Sequence, residues 1–410
     1  MIAIDASPNT RGEDVILAYK LLLTPQSWYR REGIKKLEQY FLNRYKARIT
    51  QATVSGRSAL QFLLEAAIDV DDEVITQAFT CLAVPNAITW AGGKVVFADI
   101  SEDTYNLDPR DVSKKITGKT KAVIVQHTFG IPASLHEIKR ICEEHKLILI
   151  EDCAHSLGAK YDNQLVGTFG DGAIFSFSQD KVVSGVGGGL LLIRNKRIAK
   201  LFRGMSHKFV IPTKKEIARA LFHPIFWSFA LPTYDLLLGK GLIFVLWKLG
   251  FLKGAVSEQE QVGLKSLEGS DGLSGPQAQL VLQALGRLDQ DNKRRIEIAQ
   301  RYREELGSIP VGYPQPSFAS QAIYLRYPIR VENPKKLRSF ARRQNIILGN
   351  WYQTPIAPMS SAAKLYYTQD SCPVAEEVGR SVVNLPTYPR LSNKQVERVI
   401  KTLKMFYGRC

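Results

Sequence analysis

Residues 151–189 read EDCAHSLGAKYDNQLVGTFGDGAIFSFSQDKVVSGVGGG. The apolar run LILI (147–150) leads into Glu151 and Asp152, so this acidic pair closes a buried strand. His155 follows Asp152 by three residues, close to one helical turn, and can face the same ligand. AIFSFS (173–178) reads as a second strand, and Lys181 comes just after it, ahead of Gly185, Gly187, Gly188 and Gly189. In open α/β sheets, ligands sit beyond the carboxyl ends of the strands. Asp152 and Lys181 are therefore expected at one edge of one sheet. Alone, a strand-end aspartate is ordinarily a cap, a histidine beside a strand is ordinarily structural, and a lysine before a glycine loop is ordinarily solvated. The order of all three along the chain is what carries information.

Outward from this stretch, helices and β-branched runs alternate. EVITQAF (73–79), KVVFADI (94–100), KAVIVQHTF (121–129) and GGLLLIR (188–194) join the two strands above. VSGRSALQFLLEAA (54–67) turns at a glycine and continues as a helix, and SLHEIKRICEEHK (134–146) is another. This pattern predicts an α/β fold whose large domain, residues 1–265, holds a mostly parallel buried sheet flanked by helices. A smaller C-terminal α+β domain, 266–410, is expected to follow. It would hold one long helix from Pro276 to 306, a strand at 323–331 and a closing helix at 392–406.

The chain has 410 residues, 45% of them hydrophobic and 23% charged, as in ordinary globular proteins. Its five cysteines, at 81, 142, 153, 372 and 410, show neither a C-x-x-C pair nor metal-ligand spacing, so free thiols in a reducing compartment and no metal are expected. The start MIAIDASPNTRGEDV has no secretory pattern, which points to the cytoplasm. The formal charge of +16, with a basic cluster at 194–208, favours anionic partners. No helix-turn-helix, zinc-finger or RNP-type pattern accompanies it, so nucleic acid is not an expected partner.

Lysine can bond covalently to an aldehyde, and a strand-end aspartate can hold a pyridine nitrogen protonated. Together they suit pyridoxal 5'-phosphate. Its phosphate would need a cradle. Gly56, Arg57 and Ser58 sit at a turn that opens a helix, where backbone N–H groups bind anions. Ser176, five residues before Lys181, is a further phosphate ligand candidate.

At this point the chain resembles the DegT/DnrJ/StrS sugar aminotransferases, of the fold-type I pyridoxal-phosphate superfamily. The resemblance rests on SGRSAL (55–60), TYNLDP (104–109), VQHTFGIPA (125–133), EDCAHSLGAKY (151–161), GDGAIFSFSQDK (170–181) and NLPTYPRLSNKQVERVI (384–400). It implies that Lys181 carries the cofactor, Asp152 pairs with its ring nitrogen, and His155 lies near its phenolic oxygen. It places Gly56, Arg57, Ser58 and Ser176 at the phosphate. Cys81 stands where many members stack an aromatic ring on the cofactor. Ser270 and Gly272 stand where many have an Asn-x-Arg that reaches a neighbouring subunit's phosphate, and Tyr388 replaces a common late histidine. The implied reaction moves an amino group, commonly from glutamate, to a keto sugar on a nucleotide. The implied setting is glycan or secondary-metabolite biosynthesis, and the implied assembly is a homodimer. A related dehydratase and a non-catalytic regulatory protein binding the same cofactor are the alternatives. Dehydratases of this type replace the lysine with histidine.

The apolar, aromatic stretch 221–252 is an insert interrupted by Pro224, Pro232, Asp235 and Lys240. Its clean runs are too short for a membrane span. The preferred reading packs it on its own subunit or across the dimer. Peripheral contact with the inner face of a membrane is the other.

Overall fold

Alternate residues of the central strands feed two different cores. Val123, Val125 and Leu149 enter one, and Ala122, Ile124 and Ile150 enter the other. A strand buried on both faces is apolar at nearly every position, which is why these runs are continuous rather than alternating. The computed structural model describes residues 1–4, 8–205, 209–230, 233, 256–265 and 271–408. Its main sheet has seven strands: β1 (Ile49–Thr53), β2 (Glu73–Gln77), β3 (Lys94–Ala98), β4 (Thr120–Gln126), β5 (Ile148–Asp152), β6 (Gly172–Ser176) and β7 (Gly189–Ile193). Their order is β1-β7-β6-β5-β4-β2-β3. β7 runs antiparallel to both neighbours, and the other pairings are parallel. The α/β expectation holds. β1 had no counterpart in the reading of the sequence, because ITQAT is short and largely polar.

Helices Gly56–Glu65, Ala83–Trp90, Pro109–Lys115 and Leu135–Glu144 fill the crossovers between β1 and β5. Gly56–Glu65 starts where Ser55 caps it, accepting the Ser58 N–H, and it buries Leu60, Phe62, Leu63 and Leu64. Each such burial stabilises by roughly 1.5–3 kcal/mol, so this helix end is held firmly against β6 and β7.

A further core contains Tyr302, Tyr327, Leu337, Leu385, Val399 and Leu403. It is built on the antiparallel pair Arg326–Arg330 and Val382–Pro386, with helices Pro334–Arg343 and Asn393–Phe406. Ile2–Ala3 pairs with Ile346–Ile347, so the chain start joins this C-terminal unit. The long helix expected from Pro276 is two helices, Gly275–Leu285 and Leu288–Glu305. Gly286 lowers helix propensity at the junction, and the two helices serve different cores. Ala278, Val281 and Leu285 belong to the sheet core, whereas Ile298 and Tyr302 belong to the C-terminal core. The cores thus exchange within Leu288–Glu305, between Leu288 and Ile298.

The insert begins as a helix, Lys214–Ala230, which buries Leu221 and Phe226 and packs on helix Gly12–Leu22. Pro224, read as an interruption, lies inside it. Packing on both sides tolerates the hydrogen bond that proline removes. The rest of 221–252, Thr233 excepted, lies outside the described residues, as do Ser270 and Cys410. Among the described residues, no helix is long and apolar enough to cross a membrane.

Candidate active site

β4, β5 and β6 end side by side at Gln126, Asp152 and Ser176. Their carboxyl ends open into a cavity of about 320 Å³. Gly56, Arg57, Cys81, Asp152, His155, Ser176 and Lys181 all line it. Ser58 does not. Its N–H donates to Ser55 Oγ at 3.1 Å, and its own Oγ lies 3.0 Å from the same atom. Ser55 lines the cavity in its place, with Ser178 beside Ser176.

Asp152 is 6% exposed. Its Oδ1 accepts the Ala154 N–H at 2.9 Å, and its Oδ2 accepts from Gln126 Nε2 at 3.0 Å. Gln126 is its register partner on β4, so sheet pairing delivers this bond. Burial raises the carboxyl pKa above its ordinary value. The Ala154 N–H, the Lys181 charge and the Gln126 amide oppose that rise.

His155 is nearly buried. Its Nδ1 accepts the Phe129 N–H at 3.3 Å, which leaves the proton of the neutral ring on Nε2, 3.5 Å from the Tyr352 hydroxyl. Burial holds its pKa well below the usual range, and the positive charges of Lys181 and Arg326 add to this, so the imidazole is neutral.

Lys181 lies in the loop after β6, five residues past Ser176. Asn9 Nδ2 donates to its carbonyl at 2.7 Å. Arg295, fully buried, donates to Asn9 Oδ1 at 2.9 Å, to the Val182 carbonyl at 3.0 Å and to Asn292 Oδ1 at 2.8 Å. Asn292 in turn donates to the Leu157 carbonyl at 3.0 Å. One arginine thus ties the lysine loop to the loop of His155. Burial lowers the Arg295 pKa to about 10, still high enough to keep it charged at neutral pH.

The C-terminal unit supplies a wall. Trp351 stacks on His155, with ring centroids 5.1 Å apart and planes 9° apart, and Lys181 Nζ lies 4.8 Å from the indole centroid. Arg326 Cζ sits 3.4 Å from the same centroid, and Arg326 pairs with Asp180 at 3.6 Å. Asn384 fixes the Trp351 backbone through two bonds of 2.8 Å. None of Trp351, Tyr352, Arg326 or Arg295 was singled out from the sequence. Asn384 lies in the quoted NLPTYP motif, which was the one available signal for this wall.

At the other end, the turn Ser55–Gly56 approaches β6 and β7 closely. A Cβ on Gly56 would lie 2.9 Å from Ser176 Cβ, and one on Gly189 would lie 2.4 Å from Gly56 N. Both positions exclude a side chain. The close approach groups the hydroxyls of Ser55, Ser176 and Ser178 with the start of a ten-residue helix, an arrangement that suits a phosphate.

This arrangement has a family. The DegT/DnrJ/EryC1/StrS aminotransferase profile matches residues 10–218 and 254–404. The chain belongs to that family. The stretch between the two matches, 219–253, coincides with the insert. Among relatives, a dTDP-3-amino-3,6-dideoxy-alpha-D-galactopyranose transaminase of Aneurinibacillus thermoaerophilus is 28% identical over 386 residues, covering 92% of each protein. A pleiotropic regulatory protein of Geobacillus stearothermophilus is 27% identical over 376 residues, covering 91% of this chain and 89% of that protein. The fold matches a family aminotransferase from Brucella abortus with a TM-score of 0.75, at 22% identity over 97% of this chain and 96% of that one.

Proposed function

We propose that this family member uses pyridoxal 5'-phosphate to move an amino group, with glutamate as the first donor to test, onto the keto group of a nucleotide-linked sugar. The observation that carries the reading is one cavity holding a lysine amine, a buried carboxylate at a strand end and a hydroxyl-lined helix N-terminus. These donors fit the cofactor's aldehyde, ring nitrogen and phosphate. When bound, pyridoxal phosphate supplies an electron-accepting ring that makes the substrate Cα–H bond acidic. Asp152 keeps a proton on the ring nitrogen. Lys181 Nζ would hold the cofactor's aldehyde and, as a free amine, would be the base placed to take a proton from Cα. His155 offers Nε2–H as a neutral donor, and Trp351 and Tyr352 keep water from the lysine. Names of relatives such as GDP-perosamine synthase support a sugar nucleotide as acceptor.

Borohydride reduction should fix the cofactor on the peptide that contains Lys181. Lys181→Ala should lose both that label and all turnover. Label on a different lysine sinks the assignment. The acceptor is then found by presenting nucleotide keto-sugars with glutamate and reading products by mass spectrometry. The proposed working unit is a homodimer, tested by light scattering. Membrane contact through 221–252 is tested by sedimentation with anionic liposomes. The regulatory name of the Geobacillus relative supports a second reading, cofactor binding without turnover. It predicts a protein that takes up the cofactor and never converts it with any amino donor.

A further inference from the structure

Two cations, Lys181 and Arg57, appear among the residues that line the cavity. Lys181 belongs to the aldehyde end, which leaves Arg57 as the cation of the phosphate end. Arg57 is already paired. Its Nη1 meets Glu260 Oε1, and the two side chains are 16% and 11% exposed. Glu260 is itself anchored. Its Oε2 accepts the Ser257 N–H at 2.7 Å, and its N–H donates to Ser257 Oγ at 3.3 Å, which caps the helix Glu258–Gln261. Its carbonyl accepts from Asn86 Nδ2 at 2.9 Å. Trp90 Nε1 donates to the Gly263 carbonyl at 2.8 Å, and Ser361 Oγ donates to the Gln261 carbonyl at 3.1 Å. A carboxylate is thus fixed beside the guanidinium that lines the phosphate end of the cavity.

We infer that Glu260 is an internal counter-anion of the phosphate cradle. It keeps Arg57 charged and oriented when no anion is bound, and it competes with a phosphate monoester for that guanidinium. The inference rests on the cofactor reading above. The physical basis is direct. A phosphate monoester carries about −1.5 to −2 charge near pH 7, and a fixed carboxylate nearby repels it. Breaking a buried pair by removing one partner strands the other charge. In a variant without the Glu260 charge, an incoming phosphate therefore relieves the penalty of the stranded Arg57 as well as making bonds. Glu260 sets an upper limit on cofactor affinity and favours release of the phosphorylated cofactor.

The test is Glu260→Gln in the full chain, stripped of cofactor. Glutamine keeps the length and the hydrogen bond of a capping box, so the change removes charge and leaves the cap. Three probes are titrated: pyridoxal phosphate, pyridoxal lacking the phosphate, and inorganic phosphate. The expected result is pyridoxal phosphate bound about tenfold more tightly than by the wild type, with pyridoxal unchanged. Inorganic phosphate should raise the melting temperature of the variant more than that of the wild type. The double variant Arg57→Gln/Glu260→Gln leaves neither charge buried and should lose the gain. Equal or weaker phosphate binding in Glu260→Gln overturns the inference, as does a gain that persists in the double variant or that extends to pyridoxal. If the wild type takes up no pyridoxal phosphate, the cofactor reading fails, and the inorganic phosphate series still decides the role of Glu260.

Discussion

Glu151 and Asp152 are neighbours on β5, and a strand sends neighbours to opposite faces. Glu151 is fully buried. Its oxygens accept the N–H groups of Gly167 at 2.6 Å, Phe169 at 2.7 Å and Gly170 at 2.7 Å, and His127 Nε2 lies at 3.3 Å. His127 Nδ1 accepts the Ala133 N–H, so its Nε2 is the donor to Glu151. Asp152, on the cavity side, has two such partners and an open flank. A carboxylate saturated by four donors holds a loop in place. One left partly unsaturated at a cavity keeps acceptor capacity for a ligand. The same contrast disposes of a cluster of ligand type, His127, Glu151 and Cys153, whose donor atoms lie within 4.8 Å of one another. Glu151 has already spent its lone pairs on the 167–170 loop and on His127.

The comparison breaks most visibly at Glu151. Glu151→Ala strands the buried N–H groups of Gly167 and Gly170 and the half-buried N–H of Phe169, at about 1–3 kcal/mol for each buried group, so urea unfolding should register a loss of several kcal/mol. A loss under 1 kcal/mol would mean that the loop finds other acceptors. Asp152→Asn should act in the opposite way. Turnover should fall roughly 10²–10³-fold, by analogy with a lost transition-state charge contact, while the melting temperature holds or rises because a buried charge has gone. Near-normal turnover would assign the ring proton to another group.

Arg295→Met separates the clamp from the chemistry. Losing its bonds to Asn9 and Val182 should loosen the lysine loop and lower kcat more than it raises the donor KM, by about tenfold if roughly 1.4 kcal/mol of positioning is lost. Arg295→Lys should restore part of the rate. A pH series sharpens the role of Asp152. Its folded pKa lies above the ordinary 3.8, so the cofactor-free native state binds this proton more tightly than the unfolded chain does. Stability should therefore fall as pH rises from about 3.8 through the raised value, and Asp152→Asn should flatten that segment of the curve. Ser55→Ala gives the smallest effect, about 1 kcal/mol from a lost N-cap, together with weaker phosphate binding.

Six of the seven sheet strands and the placement of Asp152 and Lys181 at or just past the ends of two of them were legible because each is encoded over short distances. Buried strands announce themselves by continuous apolar runs, and Asp152 and Lys181 by standing just past the ends of two of them. The glycine turn that opens a helix and Ser176, five residues before Lys181, were legible in the same way. Arg57 was legible as a lining residue, whereas its partner Glu260 was not. The split at Gly286 was also missed, since helical periodicity runs on across the junction while the two faces change cores.

By itself, then, the sequence determined the layered sheet and set Asp152 and Lys181 at the sheet edge where the cavity opens. Tertiary structure alone decided what surrounds them. Asn9 reaches Lys181 across 172 residues, and Tyr352 reaches His155 across 197. A tryptophan, a buried arginine or a capping glutamate has no local pattern that distinguishes a cavity wall from any other packed position. Their roles arise when separate cores dock and bring Trp351 against His155, Arg326 against Asp180 and Glu260 against Arg57. Periodicity is written between near neighbours along the chain, whereas the charge balance of a cavity is a sum over residues that meet only in the folded state.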